Sequence, residues 1–520
     1  MKKQRGIFQN VLSLLYAGLV AGPLLVMLVI PAARGAFRDL PLELMLPQGR
    51  RLALFVRSLT YSASVSLALI PIGLGAAYTL HIQPALQKLK AMVFLLLLLP
   101  PYLHATAWMD LLNGLGKEGK AGVVIALSQL PLMVGLCLIG FSAVPRHLAE
   151  AAKTLRDNAR VFTRIFIPLC LPYAAAGACL VFLSVFMDYT VPSMVGSNTY
   201  AMEIFTDFSA AGDAARSLLL SVPAMVVGSL VLLLLCRILK GTPLRVSLAR
   251  YEGLDLRLKG LPGILTGLGA LVLAVQILVP LIRLPVMMAG QQPFQTVLAS
   301  GREYGGTLLI SAGTALAVLF PAMAAASRMA RRSVLFWLLC ALPFVIPPSF
   351  TGIAVSWISQ QVPGSLLYGT WRMPVLACAS RFAPCAAIVL AVLEANRDPL
   401  LLEAEQVYRK NILEGWWRIR LPLKAAGIGA AMLLVAVFSA GELGATLLVV
   451  PPGLNTITMK IYNLMHYGAY GNAATLCFTI LLAAAAAGAG TGLLIRKRRE
   501  ARYGGSFGRK TRRDIDDRVN

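Results

Sequence analysis

Acidic residues are scarce, 23 against 48 Lys and Arg, and charged residues of both signs make up only 14% of the chain. No polar stretch is long enough to fold alone, which leaves no room for a separate soluble domain. The four histidines (His81, His104, His147, His466) are scattered and none sits in an HExxH spacing. The eight cysteines (Cys137, Cys170, Cys179, Cys236, Cys340, Cys378, Cys385, Cys477) form no CxxC pair and lie mostly within apolar runs. A disulfide framework and a zinc site are therefore not indicated. GxxxxGK[ST] is missing, so the chain does not hold ATP in a P-loop of its own. Without a catalytic set, a metal cluster or a cofactor motif, the composition points away from an enzyme.

What is abundant is apolar surface: 58% of the 520 residues are hydrophobic and the mean hydropathy is +0.72. That balance marks a polytopic membrane protein. The net charge of +25 would suit nucleic acid, but the basic residues concentrate in alternate loops and at both termini, as the positive-inside bias places them. No nucleic-acid partner is expected. Windows of about 20 apolar residues predict twelve spans, near 10–33, 58–80, 91–112, 122–143, 169–192, 216–238, 261–284, 305–327, 334–358, 374–395, 424–450 and 472–495. The first, after MKKQRGIFQN, has an apolar run long for a signal peptide and reads as an uncleaved membrane helix. The third and ninth are broken by Pro100-Pro101 and Pro347-Pro348. At membrane depth such breaks need protein or a wet cavity to satisfy the freed backbone.

Lys2, Lys3 and Arg5 at one end and Arg496 to Arg499 at the other predict both termini on the cytoplasmic side. The basic connection 239–259 is expected there too. Arg34, Arg38, Arg50 and Arg51, on the first outside loop, run against the bias. The chain also repeats itself. Asp188 lies 20 residues beyond Pro168, and Glu442 lies 20 beyond Pro422. Asn198-Thr199 with Met202, Ile204 and Phe205 reads against Asn455-Thr456 with Met459, Ile461 and Tyr462. An all-α membrane protein of two six-span units is expected, a parallel 6+6 tandem repeat because six is even. Its parts would be a first unit, 1–238, a cytoplasmic linker, 239–259, a second unit, 260–495, and a basic tail, 496–520.

The most informative repeat is polar. Glu150 to Pro168, EAAKTLRDNARVFTRIFIP, returns as Glu403 to Pro422, EAEQVYRKNILEGWWRIRLP. Alanines beside the glutamates favour helix and permit close approach. Each segment is expected to end at its proline, where the next span begins. A single copy would read as an interfacial helix; duplication at matched positions points to docking of a soluble partner.

These residues resemble the EAA loop of binding-protein-dependent ABC importer permeases. The resemblance implies the type I importer permease fold and a coupling helix docked on an ATPase, with Glu150, Ala151, Ala152, Arg156 and Pro168 in one loop. Glu403, Ala404, Arg409, Ile419, Leu421 and Pro422 fall in the other. The first copy reaches its proline one residue early, and Arg156 and Arg409 stand where the family usually has glycine. The partners implied are two copies of an ABC ATPase subunit and a periplasmic solute-binding protein, at the bacterial inner membrane. Gly441-Glu442-Leu443-Gly444-Ala445-Thr446 followed by Pro451-Pro452-Gly453 most resembles the fused ferric-iron permeases; thiamine and phosphonate permeases share similar features. Asp188, Glu442 and Arg381, charged at membrane depth, are candidates for the translocation path, with capping or pairing near the outer interface as the alternative. Two carboxylates suit Fe(III) as hard ligands but do not make a metal site. An ion-coupled secondary transporter also fits twelve spans in parallel halves.

Overall fold

The computed structural model describes residues 2–240, 256–395 and 418–503, apart from short gaps within 34–41 and 84–98, at 332, and within 362–365 and 419–420. Every regular element among the described residues is helical. In chain order the helices are α1 (Lys2–Ala33), α2 (Gly49–Ile82), α3 (Pro101–Trp108), α4 (Lys117–Ser142), α5 (Arg146–Leu155), α6 (Asn158–Val161), α7 (Ile167–Phe186), α8 (Thr190–Met194), α9 (Tyr200–Ala211) and α10 (Ala214–Leu239). The second half continues with α11 (Gly260–Met288), α12 (Pro293–Leu298), α13 (Gly301–Ala330), α14 (Val334–Val345), α15 (Pro348–Gln361), α16 (Arg372–Ala395), α17 (Leu421–Ala440), α18 (Ile457–His466) and α19 (Tyr470–Tyr503).

Eight helical stretches among the described residues are long and apolar enough to cross a membrane, and α14 with α15 makes a ninth, bent by 102°. The helices Lys424–Ala440 and Tyr470–Ala486 are apolar but shorter. Of the twelve expected spans, the third lies partly outside the described residues and resumes as the eight-residue α3. Both proline breaks are present. Pro100 is extended ahead of α3, and Ile346, held extended by the proline after it, precedes α15. Elsewhere the spans run as continuous helices, even across internal prolines such as Pro71, Pro131 and Pro223. Buried hydroxyls bond within their own helix: Ser62 and Ser66 each donate to the carbonyl four residues back in α2.

By contacts the chain divides into a large unit, Met1–Arg397 with Ala431–Phe478, and a small one, Asp398–Ala430 with Thr479–Asn520. The large unit contains most spans of both halves. Within it α2, α4 and α7 pack on one another, and α13 packs on α16. The first helix of each half crosses over: α1 lies against α13 and α16, while α11 lies against α2 and α3. Gly75 and Gly269 let α2 and α11 approach at backbone distance, and Thr79 donates across this seam to the Thr266 carbonyl at 3.0 Å. The small unit holds the start of α17 and the C-terminal part of α19.

The repeat extends to matched caps. Thr199 and Thr456 each cap the next helix, accepting from the backbone N–H of Met202 and Met459 at 3.3 Å. The residue after each cap donates its own N–H to a hydroxyl on the second span of its half, Tyr200 to Ser58 and Ile457 to Thr307, both at 2.9 Å. Burial pushes the Tyr200 phenol up to about 12, so it stays a donor, to the Leu220 carbonyl. Two arginines near the start of α2 find carboxylates: Arg50 lies 3.5 Å from Glu203 and Arg57 lies 2.9 Å from Glu118. Arg50 is one of the basic residues that run against the expected charge bias, and here it has an acidic neighbour.

Candidate functional site

One cavity of about 460 Å³ is lined by residues from both halves, and they come in matched sets. Leu97, Leu99 and Pro101 of the third span face Phe344, Ile346 and Pro348 of the ninth. Ser128, Gln129 and Leu132 on α4 answer Arg381, Phe382 and Cys385 on α16. Leu183, Ser184, Met187 and Asp188 answer Val437, Phe438, Gly441 and Glu442. Each set keeps a constant spacing along its pair of spans, so the walls are equivalent positions of the repeat.

Asp188, Glu442 and Arg381 thus line the same space. Asp188 Oδ1 accepts from both the backbone N–H and the hydroxyl of Thr190, and among the described residues it has no ion pair. Glu442 Oε1 accepts from the Ala445 N–H at 2.8 Å, while Oε2 lies 3.6 Å from Arg381 Nε. That is ion-pair range but too long for a hydrogen bond. Along the chain Arg381 has no obvious counterpart in the first half. The structure supplies one, Ser128, and the signal was there: Pro131 and Pro384 each follow three residues later.

The glycines flanking Glu442 have a packing reason. A Cβ on Gly441 would lie 2.9 Å from Pro100 Cγ, and one on Gly444 would lie 2.7 Å from Pro348 Cβ. The motif therefore lets this turn fit against both proline breaks. The halves are also hydrogen-bonded beside the cavity. Tyr189, fully buried, donates to the Gly444 carbonyl at 3.0 Å, and Tyr102 shares a 3.1 Å bond with the Thr458 hydroxyl. A buried hydrogen bond contributes about 1 kcal/mol, so Tyr189→Phe is expected to shift the balance toward separated halves about fivefold. The check is thiol labelling of a single cysteine placed at Ser184, which should quicken by that factor. An unchanged rate would show that Tyr189 does not latch the halves.

The first polar segment is exposed. In α5, Glu150 and Ala151 face outward and Ala152 is half-buried, while Ala149 and Val144 are buried beneath. Arg146 donates to Glu150 at 2.7 Å across one turn. The segment does not end at Pro168 as its sequence suggested. Helix breaks at Arg156 and Asp157, both extended, then runs unbroken from Asn158 to Phe186. A wide π turn over Phe162–Phe166 directly precedes Pro168, and the Ile167 N–H reaches back to Phe162. That turn accommodates the missing donor that would otherwise break the helix. Asn158 donates to the Arg257 carbonyl at 2.8 Å, and Tyr78 donates to the Leu256 carbonyl. The end of the linker is therefore tied to the first polar segment and to α2, which sequence alone did not reveal. Glu403, Ala404, Arg409 and Ile419 lie outside the described residues. Leu421 and Pro422 open α17, as Ile167 and Pro168 open α7.

Long apolar helices, a cavity lined at matched positions and an exposed polar helix are the features on which the comparisons bear. Residues 69–241 match the family described as binding-protein-dependent transport system inner membrane component. That match covers about a third of the chain, which over this stretch resembles the membrane component of binding-protein-dependent importers. It is similar to the putative 2-aminoethylphosphonate transport system permease protein PhnV of Salmonella typhimurium (strain LT2) and of Salmonella choleraesuis, 27% identical to each over 146 residues. That match covers 28% of this chain and spans about half, 53%, of the length of these relatives.

Proposed function

We propose that the chain forms the membrane path of an ABC importer, with two permease halves on one polypeptide. A solute delivered by a periplasmic binding protein would pass through the cavity between the halves. ATP hydrolysis on a separate pair of ATPase subunits would drive it, through α5 and the segment Glu403 to Pro422. The observation that carries this reading is the lining of one cavity by matched positions of the repeat, with Asp188, Arg381 and Glu442 in its wall. Both termini and the 239–259 linker would face the cytoplasm, as their basic residues favour.

Ferric iron is the solute we read from the Gly441–Thr446 resemblance, with Asp188 and Glu442 as hard oxygen donors along the way. A phosphonate is the second reading, favoured by the name of the relatives and by the guanidinium of Arg381 in the cavity wall. Uptake of radiolabelled ferric iron and of a radiolabelled phosphonate should be compared in cells with and without this chain. The favoured solute is the one whose uptake disappears both with the chain and with an ATPase mutated in its P-loop. Uptake that survives loss of the ATPase would make the protein an ion-coupled transporter and overturn the reading.

A further inference from the structure

The two halves present unlike chemistry to the cavity at equivalent positions. On α16 stand Arg381 and Phe382, with Phe438 tilted against Phe382 at 5.7 Å; their counterparts in the first half are Ser128, Gln129 and Ser184. Arg381 is only 17% exposed, and its Nε and Nη1 are buried without a hydrogen-bond partner. A buried guanidinium normally has its donors satisfied. Glu442 balances its charge at 3.6 Å without filling its donor fork, because Oε1 is already held by Ala445. The donors left over are coplanar but point to different sides of the guanidinium, so each can offer one charge-assisted bond to an oxyanion. With Arg381 offset by Glu442, the acidic group in the wall that has no cation beside it among the described residues is Asp188.

We propose that the cavity binds its solute as a dipole, an oxyanion held by Arg381 and a positive centre turned toward Asp188. This rests on the permease reading and names the solute class for that same site. The positive centre is an ammonium or a bound metal ion; the oxyanion is of the phosphate or phosphonate kind. A cavity of about 460 Å³ lies within the ordinary range for small-molecule sites. The aromatic pair beside Arg381 excludes water from the anionic end and so strengthens the guanidinium contact.

The test uses the full-length chain in lipid nanodiscs, with binding followed by thermal shift and equilibrium dialysis. The probes are 2-aminoethylphosphonate (both charges), ethylphosphonate (anion alone), ethylammonium (cation alone), and ferric iron with and without phosphate. At least one two-charge probe is expected to bind tenfold or more tightly than either single-charge probe. Whether it is the aminophosphonate or the ferric phosphate identifies the positive centre. Arg381→Ser, which installs the residue of the other half, should weaken that binding at least tenfold. Asp188→Asn should erase the preference for two charges over the anion alone, and it reads the opposite end if the Arg381 variant does not fold. Ferric iron alone or ethylammonium binding as tightly as any two-charge probe would overturn the proposal. So would unchanged affinity in Arg381→Ser, or no binding of any probe to a preparation that still retains its ATPase. A chain that retains no ATPase overturns the permease reading instead, and the binding arms then decide the dipole by themselves.

Discussion

Gly269→Leu is expected to reduce folded protein in the membrane more than tenfold. A Cβ at this position would lie 2.6 Å from the Ile72 carbonyl oxygen and 2.7 Å from the Ala76 nitrogen. Both are backbone atoms of α2, so no side-chain rotation relieves the clash. The remedy is to move α11 bodily, which would also break the Thr79 bond to Thr266 and loosen the buried Leu256 contact to Tyr78. Inserting bulk into a packed interior costs about 1–3 kcal/mol, and more where the backbone is what must yield. Small residues are what allow membrane helices to approach this closely. Gly267, two residues earlier on the same helix, has nothing within 4 Å and provides the control. Membrane-fraction yield and thermal unfolding in detergent should separate Gly269→Leu from Gly267→Leu. Equal behaviour of the two variants would mean that the crossover seam does not hold the halves together.

Glu150→Lys combined with Ala151→Trp is expected to do the opposite, leaving folded protein unchanged while lowering uptake more than tenfold. Both side chains are exposed on α5, and the Arg146–Glu150 pair that is lost is half-exposed on both sides. Such surface pairs contribute about 0–1 kcal/mol, too little to affect accumulation. A bulky ring and a reversed charge on a docking face would block close packing with a partner helix or groove. Paired measurements of membrane yield, ATPase co-purification and uptake decide the matter. Normal uptake with the ATPase retained would reduce α5 to a helix resting at the bilayer surface.

Much of the fold could be read from the sequence, because lipid imposes a simple rule on length and polarity. Eight of the expected spans are single helices among the described residues, and the ninth is bent at the proline that marks it. Their ends were less legible. The fifth was expected to start at 169, yet its helix begins at Asn158, because the π turn before Pro168 absorbs a residue that local propensity treats as a stop. Asp188, Glu442 and Arg381 stood out because charge is rare at depth. Ser128 and Gln129 did not, since small polar residues in a span look like ordinary packing. They gain meaning only when α4 and α16 are aligned on Pro131 and Pro384. The crossover of α1 and α11 left no trace in periodicity or charge, for it depends on which helices meet across long separations in the chain.

That crossover sets a timetable for synthesis. The face of α2 that receives α11 is made early, around Gly75, while Gly269 emerges from the ribosome nearly two hundred residues later. Chain growth runs at about 5–20 residues per second, so this groove waits on the order of ten seconds or more without its partner. During that interval the first half is an unfinished template, exposed to quality-control proteases and to pairing with the wrong chain. Joining the halves in one polypeptide guarantees that the correct helix arrives next, at high local concentration.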